Sequence, residues 1–484
     1  MKKFLALILS VLMICSALTA CSSKDSKSDE SETTTTATQE KAKNLSVNSQ
    51  LVAKKLKSLE QKDKSFTLCD GGIIYRGDSG KYGIISLDGE NDTGEKYIYC
   101  KSEGNLFEVA SSKAEGDGIA AVNCLGLVDG NGNTVLEEKY AACSEINNRY
   151  YRVCEVTETT NKKDEALVFG TEGFLKIMPD ETDTLYKGNW YILDVKTNSL
   201  VDGATGTKAY MPKPYGNYLE CYSDNQTAFY VNGDGKKLPE NAKLNADGTY
   251  QVEVNGAEKG EVYDNEDNLL FTYIHHNDTE TNYIRSANSA KNYFICQNEK
   301  DGVQHYYVVD ASGKAVSSNF SQSIQVYGEL ILSEKKLYNF KGEQVIEGEY
   351  SSVQVDDTFE NYYILTSESN SKLKTVIDKE GTVIVKEGED ISSDFPLRKS
   401  QKDGGSYYLC YKDKDFTLKA DSHSDWIVSV EGENGQQTLV NCLSGDKVIE
   451  GGYKSFAITG NIANGIYVLA FGENTADIYL VEAQ

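Results

Sequence analysis

One stretch decides the fold, and it reads Leu125-Gly126-Leu127-Val128-Asp129-Gly130-Asn131-Gly132-Asn133-Thr134-Val135. The side chain of Asp129 caps a type I turn, and Gly132 supplies the left-handed conformation that closes a hairpin with a bulge. An apolar strand then resumes at Val135. The stretch therefore predicts two antiparallel strands joined by a tight turn, with a positive φ at Gly132.

The same turn recurs along the chain as Asp or Asn, then Gly three residues later, then an aliphatic residue after three more. Five copies fit: Asp129/Gly132/Val135, Asn232/Gly235/Leu238, Asp310/Gly313/Val316, Asn339/Gly342/Val345 and Asp378/Gly381/Ile384. Four weaker copies are Ser86/Gly89, Cys442/Gly445, Asp194/Thr197/Leu200 and Asp264/Asp267/Leu270. The nine turns are spaced for units of three or four strands, and the two longest intervals each leave room for a degenerate copy.

The rest of the chain after Phe66 supports an all-β fold. Short apolar or aromatic runs alternate with Gly, Asn, Asp and Lys, and the whole chain has only 5 Pro. We predict one β-repeat domain over residues 63–484, a degenerate β-propeller of about seven or eight blades, with a β-solenoid or two stacked β domains as alternatives. To close the ring, the C-terminal run Asp477-Ile478-Tyr479-Leu480-Val481 would pair near Ile73-Ile74-Tyr75.

Two of these runs resemble a known repeat. Tyr82-Gly83-Ile84-Ile85 and Leu125-Gly126-Leu127-Val128-Asp129 are similar to the opening of bacterial WG-type β repeats, with Tyr or Leu in place of Trp. Such repeats commonly carry Tyr eight residues after the turn glycine, and this chain has Tyr97, Tyr140, Tyr350 and Tyr453 there. The resemblance implies a repeat architecture used largely for binding, without a defined activity.

The N-terminus has the form of a secretion signal. Lys2 and Lys3 precede a largely apolar run over residues 4–18, and Leu18-Thr19-Ala20-Cys21 resembles a bacterial lipobox. The resemblance implies a signal peptide over residues 1–20, cleavage before Cys21, and attachment of diacylglycerol and palmitate-type chains at Cys21. The alternative is an uncleaved helix, but the run is shorter than the roughly 20 apolar residues that span a bilayer. We therefore expect a lipoprotein on the extracytoplasmic face of the cell membrane.

Two short segments precede the β domain. Residues 21–45 are rich in Ser, Thr and charged residues, so they predict a disordered tether. Leu51, Val52, Leu56 and Leu59 then fall near helical spacing, which predicts one short amphipathic helix over residues 46–62.

Composition limits the partners. The chain has 74 acidic and 49 basic residues, for a net charge of −25, and loss of the signal peptide would make it two charges more negative. Nucleic acids bind through Lys and Arg, so this balance argues against them and leaves the lipid anchor as the contact with the membrane. Nine cysteines remain beyond Cys15 and Cys21, without a CxxC pair. Most are expected to pack as small hydrophobes, and one or two disulfides remain open.

No catalytic, cofactor-binding or metal-binding residue is assigned. Gly77-Asp78-Ser79-Gly80 resembles the loop around a chymotrypsin-like nucleophile, but the first histidine is His275, so a hairpin turn explains it better. Ser333-Glu334-Lys335-Lys336 contains SxxK without the companion motifs of penicillin-recognising enzymes.

The remaining metal candidates are weak. His275 and His276 are adjacent, so on a strand they would face opposite sides and not share a metal. Asp129-Gly130-Asn131-Gly132-Asn133 resembles the start of a calcium loop, but its twelfth position is Tyr140 rather than Glu.

Three functions stay open at this point. The first is a surface-tethered binding or scaffold module for a protein or glycan ligand. The second is an envelope glycan-active enzyme with carboxylates gathered from separate blades. The third is a sensor or assembly partner of a membrane protein. A broad aromatic patch would favour the first or third, and a deep pocket with converging carboxylates of shifted pKa would favour the second.

Overall fold

The computed structural model shows an all-β chain, and its described residues contain no α-helix. The described residues are 49–112, 123–161, 173–175, 184–201, 213–222, 228–232, 234–254, 258–277, 280–287, 293–300, 302–355, 362–388, 397–399, 407–409, 418–424, 427–431, 435–441, 444–462 and 464–484. They form eleven small antiparallel sheets, which we number in chain order. The prediction of an all-β fold is confirmed.

Sheet 1 contains β2 (Ser65–Cys69), β3 (Gly72–Arg76) and β4 (Tyr82–Ile85), and sheet 2 contains β5 (Tyr99–Glu103), β6 (Leu106–Ala110), β7 (Leu125–Val128) and β8 (Thr134–Tyr140). Sheet 3 contains β9 (Ala142–Glu145), β10 (Tyr150–Asn161), β11 (Gly173–Leu175), β12 (Thr184–Asp194) and β13 (Ser199–Leu200). Sheet 4 contains β14 (Lys213–Tyr215), β15 (Tyr218–Tyr222) and β16 (Ala228–Asn232). Sheet 5 contains β17 (Lys243–Leu244), β18 (Tyr250–Val254), β19 (Lys259–Tyr263) and β20 (Leu269–Ile274), and sheet 6 contains β21 (Glu280–Ser286), β22 (Tyr293–Lys300) and β23 (Val303–Asp310). Sheet 7 contains β24 (Ile324–Tyr327), β25 (Leu330–Ser333) and β26 (Lys336–Asn339). Sheet 8 contains β27 (Tyr350–Val355), β28 (Tyr362–Ser367), β29 (Lys374–Asp378) and β30 (Val383–Gly388).

Sheet 9 contains β31 (Leu397–Lys399) and β32 (Tyr407–Leu409), and sheet 10 contains β33 (Leu418–Ser424), β34 (Ile427–Glu431), β35 (Gln437–Asn441) and β36 (Lys447–Tyr453). Sheet 11 contains β37 (Ser455–Asn461), β38 (Gly465–Phe471) and β39 (Thr475–Ala483), with β1 (Leu51–Glu60) as the strand beside β39. Consecutive strands pair as hairpins in most sheets. Sheet 11 is different because its outer strand β1 comes from the other end of the chain.

The five turns that carry Asp or Asn followed by Gly are present with the predicted geometry, whereas two weaker copies differ: the positive φ lies at Asn198 instead of Thr197, and the Gly445 amide donates to Asn441 instead of Cys442. At the first copy, the amide of Gly132 donates to the carbonyl of Asp129 over 3.0 Å, and the Asp129 carboxylate accepts the amides of Asn131 and Asn133. The φ angles of Gly132 and Gly342 are 80° and 81°, so the prediction of positive φ is confirmed. The turn joins β7 to β8, as two strands that meet at a tight turn must.

Each of these glycines also contacts the preceding sheet. A Cβ added to Gly132 would meet Thr93, and one added to Gly313 would meet the ring of Phe271. At Gly381 it would meet the backbone carbonyl of Val345. There are therefore two reasons for glycine at such a turn: its backbone is in the left-handed conformation, and the neighbouring sheet leaves no room for a Cβ.

The tyrosines that follow the turns lie where one strand leaves a sheet and enters the next. Tyr97 exchanges backbone hydrogen bonds with Tyr82 in sheet 1, and the next residue, Ile98, donates to Ala110 in sheet 2. Tyr140 ends β8 in the same way, before Ala141 donates to Cys154 of sheet 3. Both tyrosine side chains are buried, so each fills the bend between two sheets.

The structure has eleven sheets, more than the seven or eight predicted blades, and two of the sheets have no counterpart among the nine turns found in the sequence. The interval between Gly381 and Gly445 holds sheet 9, a copy whose turn is not recognisable. Sheet 11 lacks the turn because β1 replaces its fourth strand. The other long interval, before Thr197, is occupied by the long strands β10 and β12 and the short strand β11 of sheet 3.

The predicted helix over residues 46–62 is wrong, because residues 51–60 form strand β1. Leu51 packs with the core between sheets 8, 10 and 11, whereas Leu59 packs with the core between sheets 11 and 1. A bulge between Lys55 and Lys57 shifts the alternation by one residue between them. The apolar residues therefore serve two faces of one strand, and their spacing imitates a helix.

The C-terminal strand pairs with β1 and not with residues 73–75, which corrects the predicted closure. Nine residue pairs join β1 to β39, from Leu51 opposite Ala483 to Glu60 opposite Thr475. The residues near Ile73 belong to sheet 1, which packs against sheet 11 through Tyr75 and Ile478. The core is divided into clusters between neighbouring sheets, and the last sheet shares one with the first.

Candidate functional site

The two enzyme-like motifs are hairpin turns. Ser79 lies between β3 and β4, where its amide and hydroxyl both donate to the Glu95 carboxylate. Ser333 and Lys336 pair across the β25–β26 turn, and the Lys335 ammonium lies 2.7 Å from Glu368. Hydrogen bonds that stabilise the turns therefore explain both motifs.

The calcium-like stretch is also explained by its turn. Oδ1 of Asp129 accepts two backbone amides, and Oδ2 accepts the Asn133 side-chain amide over 2.9 Å. Both carboxylate oxygens are thus used by N–H donors. Among the described residues, no group of three or more His, Cys, Asp or Glu side chains is placed to hold a metal ion.

Histidines and cysteines have structural surroundings. His275 is mostly buried and its Nδ1 lies 2.9 Å from the carbonyl of Asn282, whereas His276 is exposed beside Thr281. The seven cysteines in the described ranges are free, and Cys143, Cys154, Cys221 and Cys296 are buried. Cys21 and the residues predicted to form a signal peptide and a tether lie outside the described residues, as do Cys410 and Cys442. No helix of the described part is both long and apolar enough to cross a membrane.

Acidic side chains from sheets 1 to 3 come together at one set of hairpins. Burial raises the pKa of Glu108, whose two oxygens accept the Tyr99 hydroxyl and the Cys143 amide over 2.9 and 2.7 Å. Burial and the charges of Asp70 and Glu103 raise the pKa of Glu145. Glu108 is therefore committed to joining sheets 2 and 3, and neither of its oxygens is left for a substrate.

A second polar cluster, which we call the Asp267 cluster, joins sheets 4 and 5. Asp267 occupies the turn position that is glycine elsewhere, with a φ of 69°. Its carboxylate accepts the hydroxyls of Tyr218 and Tyr250 and lies 2.8 Å from the Lys236 ammonium. Burial alone would raise the pKa of Asp267, but hydrogen bonds from Lys236, Tyr218 and Tyr250 lower it overall.

Two more ion pairs join distant parts of the chain, one between two sheets and one between two strands of sheet 11. The Arg149 guanidinium binds the fully buried Asp194 through Nε and Nη2 and reaches Asn217 with Nη1, which links sheet 3 to sheet 4. Lys55 on β1 binds Asp477 on β39 at 2.7 Å. Each of these two buried carboxylates therefore has a cationic partner, and the pairs have a structural role, because an unpaired charge at these positions would strongly destabilise the fold.

The aromatic residues of sheet 6 are arranged differently. Tyr283, Gln297 and Tyr306 are directly opposite one another on β21, β22 and β23, so their side chains share one face. Tyr283 is 51% exposed, the only tyrosine among the exposed large hydrophobic residues of the described chain. We call these three residues the sheet 6 row.

The sheet 6 row continues on both sides. The ring of His275 lies edge-on to Tyr283 at 5.5 Å and to Tyr273 at 6.2 Å. On the other side, Tyr306 pairs with Phe320, whose ring is 5.5 Å from that of Tyr338. Tyr306, Phe320 and Tyr338 also pack against the core between sheets 6 and 7, so Tyr283 has the most exposed ring of this group.

The row carries hydrogen-bonding groups that its own fold leaves open. In the described structure, neither the Gln297 side-chain amide nor the Tyr283 hydroxyl has a hydrogen-bond partner. The next row of the same face contains Thr281, Glu299 and Gln304. An open amide between two tyrosine rings can bind a ligand that offers both an apolar face and hydroxyl groups.

Comparisons with known proteins add little. No family model and no curated protein matches the chain. Among solved structures, the computationally designed Ika8 protein matches with 9% identity and a TM-score of 0.24, over 56% of this chain and 95% of that one. A similarity this low carries no argument about function.

Proposed function

We propose that this chain is a cell-surface, lipid-anchored β-repeat protein that acts as a binding module. The sheet 6 row carries the proposal, because the exposed ring of Tyr283 shares one sheet face with the open Gln297 amide and the partly buried Tyr306. The carboxylates of Glu108, Asp194 and Asp267, by contrast, are bonded to groups of their own or neighbouring sheets.

We also propose that the sheets form a closed, propeller-like ring. Pairing of β1 with β39 supports it, because the outer strand of the last sheet then comes from the start of the chain. The core shared by sheets 11 and 1 supports it further. Such closure leaves only short protected edges and a rigid frame for a binding surface.

The anchor is proposed at Cys21, on the lipobox-like Leu18-Thr19-Ala20-Cys21. Cells fed a radiolabelled fatty acid should label the wild-type protein and leave Cys21→Ala unlabelled, released or unprocessed. Cys15→Ala is the matched control and should label normally. Label retained by Cys21→Ala would refute the anchor without touching the binding proposal.

Binding is tested with the full-length chain purified in detergent. It should retain at least one member of a panel of neutral glycans, acidic glycans and peptides, without turning it over. Retention of no panel member would contradict the binding function. Turnover of any panel member would instead favour the glycan-active enzyme.

A further inference from the structure

The sheet 6 row has the spacing and chemistry of a platform for an extended chain. Neighbouring strands of a sheet lie roughly 4.8 Å apart, so the backbones of Tyr283 and Tyr306, on either side of β22, are about 10 Å apart. That distance is comparable to two linked pyranose units. Gln297 lies between the two rings on the same face.

The charges around the row favour an uncharged ligand. Glu299 is exposed on the adjacent row, and the exposed Arg285 on the other side donates through Nη2 to the carbonyl of Ile324 over 2.9 Å. The whole chain carries a net charge of −25, so it repels anionic polymers at long range. On the adjacent row, Thr281 is bonded to His276 and the Gln304 carbonyl oxygen accepts the Tyr306 hydroxyl, which leaves the exposed Glu299 carboxylate and the Gln304 NH2 group to bind sugar hydroxyls.

From these observations we infer that the sheet 6 row binds a neutral polysaccharide, whose sugar rings pack on Tyr283 and Tyr306 while the Gln297 amide binds a hydroxyl between them. This inference rests on the proposed binding function and assigns it a ligand class. A peptide is the competing ligand. Strand addition would need an open sheet edge, whereas the row lies on a sheet face with rings at both ends.

The test is affinity electrophoresis of the full-length chain in detergent. Native gels contain one soluble polymer each: hydroxyethylcellulose, xyloglucan, galactomannan, amylopectin, or polygalacturonate as the anionic comparison. At least one neutral polymer should retard the wild-type chain. Tyr283→Ala should weaken that binding about fivefold or more, because the variant lacks the ring on which the sugar packs.

Two further variants separate stacking from hydrogen bonding. Tyr283→Phe keeps the ring and should bind within about twofold of wild type, whereas Gln297→Leu keeps the size and should bind more weakly. Val383→Ala, which removes an exposed aliphatic side chain from sheet 8, is the matched control and should bind normally. Thermal unfolding of each variant checks that the fold is kept. Little change is expected at Tyr283 and Val383, because both side chains are about half exposed.

The outcomes distinguish this inference from the proposed function. Unchanged glycan binding by both Tyr283→Ala and Gln297→Leu would overturn the site but keep the binding module. Retardation by polygalacturonate alone would overturn the neutral-ligand assignment. Peptide binding lost in Tyr283→Ala, without glycan binding, would overturn the polysaccharide and retain the function. Failure to bind any glycan or peptide would overturn both.

Discussion

Two groups of tyrosines on neighbouring sheets show how one residue type serves two purposes. In the Asp267 cluster, Tyr218 and Tyr250 are buried and donate their hydroxyls to one carboxylate. In the sheet 6 row, Tyr283 is half exposed, and its hydroxyl makes no hydrogen bond to any group of the described structure. Both groups lie on strands with similar sequence patterns, so the pattern alone does not separate them.

The difference comes from the partner that each strand register provides. Asp267 sits at the turn before β20, where it reaches hydroxyls from β15 and β18 and an ammonium from the preceding turn. Burial and the Asp267 carboxylate raise the pKa of both tyrosines far above the ordinary value, so they stay protonated as donors. Opposite Tyr283, by contrast, the register places Gln297 and no acid.

Removal of the central carboxylate should have the largest effect on stability. Asp267→Ala loses charge-assisted hydrogen bonds from two tyrosines and strains the left-handed turn, so the free energy of unfolding should fall by about 3 kcal/mol. Asp267→Gly loses the same bonds without strain and should cost about 1 kcal/mol less. Urea unfolding measures both. Equal stability of Asp267→Ala and wild type would show that the cluster does not hold sheets 4 and 5 together.

The charge of Asp267 predicts a pH dependence. Its folded pKa is lowered, so its contribution is complete above the unfolded value of about 3.9 and is lost as pH falls through the folded pKa. Asp267→Asn should therefore be about 2 kcal/mol less stable than wild type at pH 7, and the difference should shrink as the pH falls below about 3.9 and through the folded pKa. The readout is urea unfolding over this pH range. A gap that stays constant with pH would mean that the charge contributes nothing.

At an equivalent turn that has glycine, a residue with a Cβ should show the backbone strain that Asp267 offsets by its hydrogen bonds. Gly342 has a φ of 81° and lies beside Ser318, so Gly342→Val should destabilise the chain by about 1.5 kcal/mol. Lys341→Val, at the exposed preceding residue, should change stability by less than about 0.5 kcal/mol. Thermal unfolding compares the pair. Similar losses in both variants would remove the conformational argument for the glycine.

The sequence predicted the turns well because their chemistry is local. Asp129, its two amide partners and Gly132 lie within five residues, so every participant is visible together. Strand β1 was missed because its apolar residues face two different cores across a bulge. No local pattern distinguishes that spacing from a helical stripe.

The candidate site could not be predicted for a related reason. Tyr283, Gln297 and Tyr306 are distant in sequence and meet only through the register of three strands. Alternation shows that tyrosines occur on strands, but not which faces a neighbouring sheet covers. A sequence also does not show that Glu108 is committed to Tyr99 and Cys143 across two sheets.

The smallest predicted effect is the most direct test of the comparison. Tyr218→Phe and Tyr283→Phe remove the same hydroxyl from strands of neighbouring regions. At Tyr218 the loss leaves Asp267 short of one donor, so stability should fall by about 1 kcal/mol. At Tyr283 the hydroxyl bonds to nothing in the described residues, so the change should stay within about 0.5 kcal/mol. Urea unfolding at pH 7 resolves this difference. Equal losses would mean that the Tyr283 hydroxyl has a structural partner, and the row would then belong with the buried clusters rather than with the binding surface.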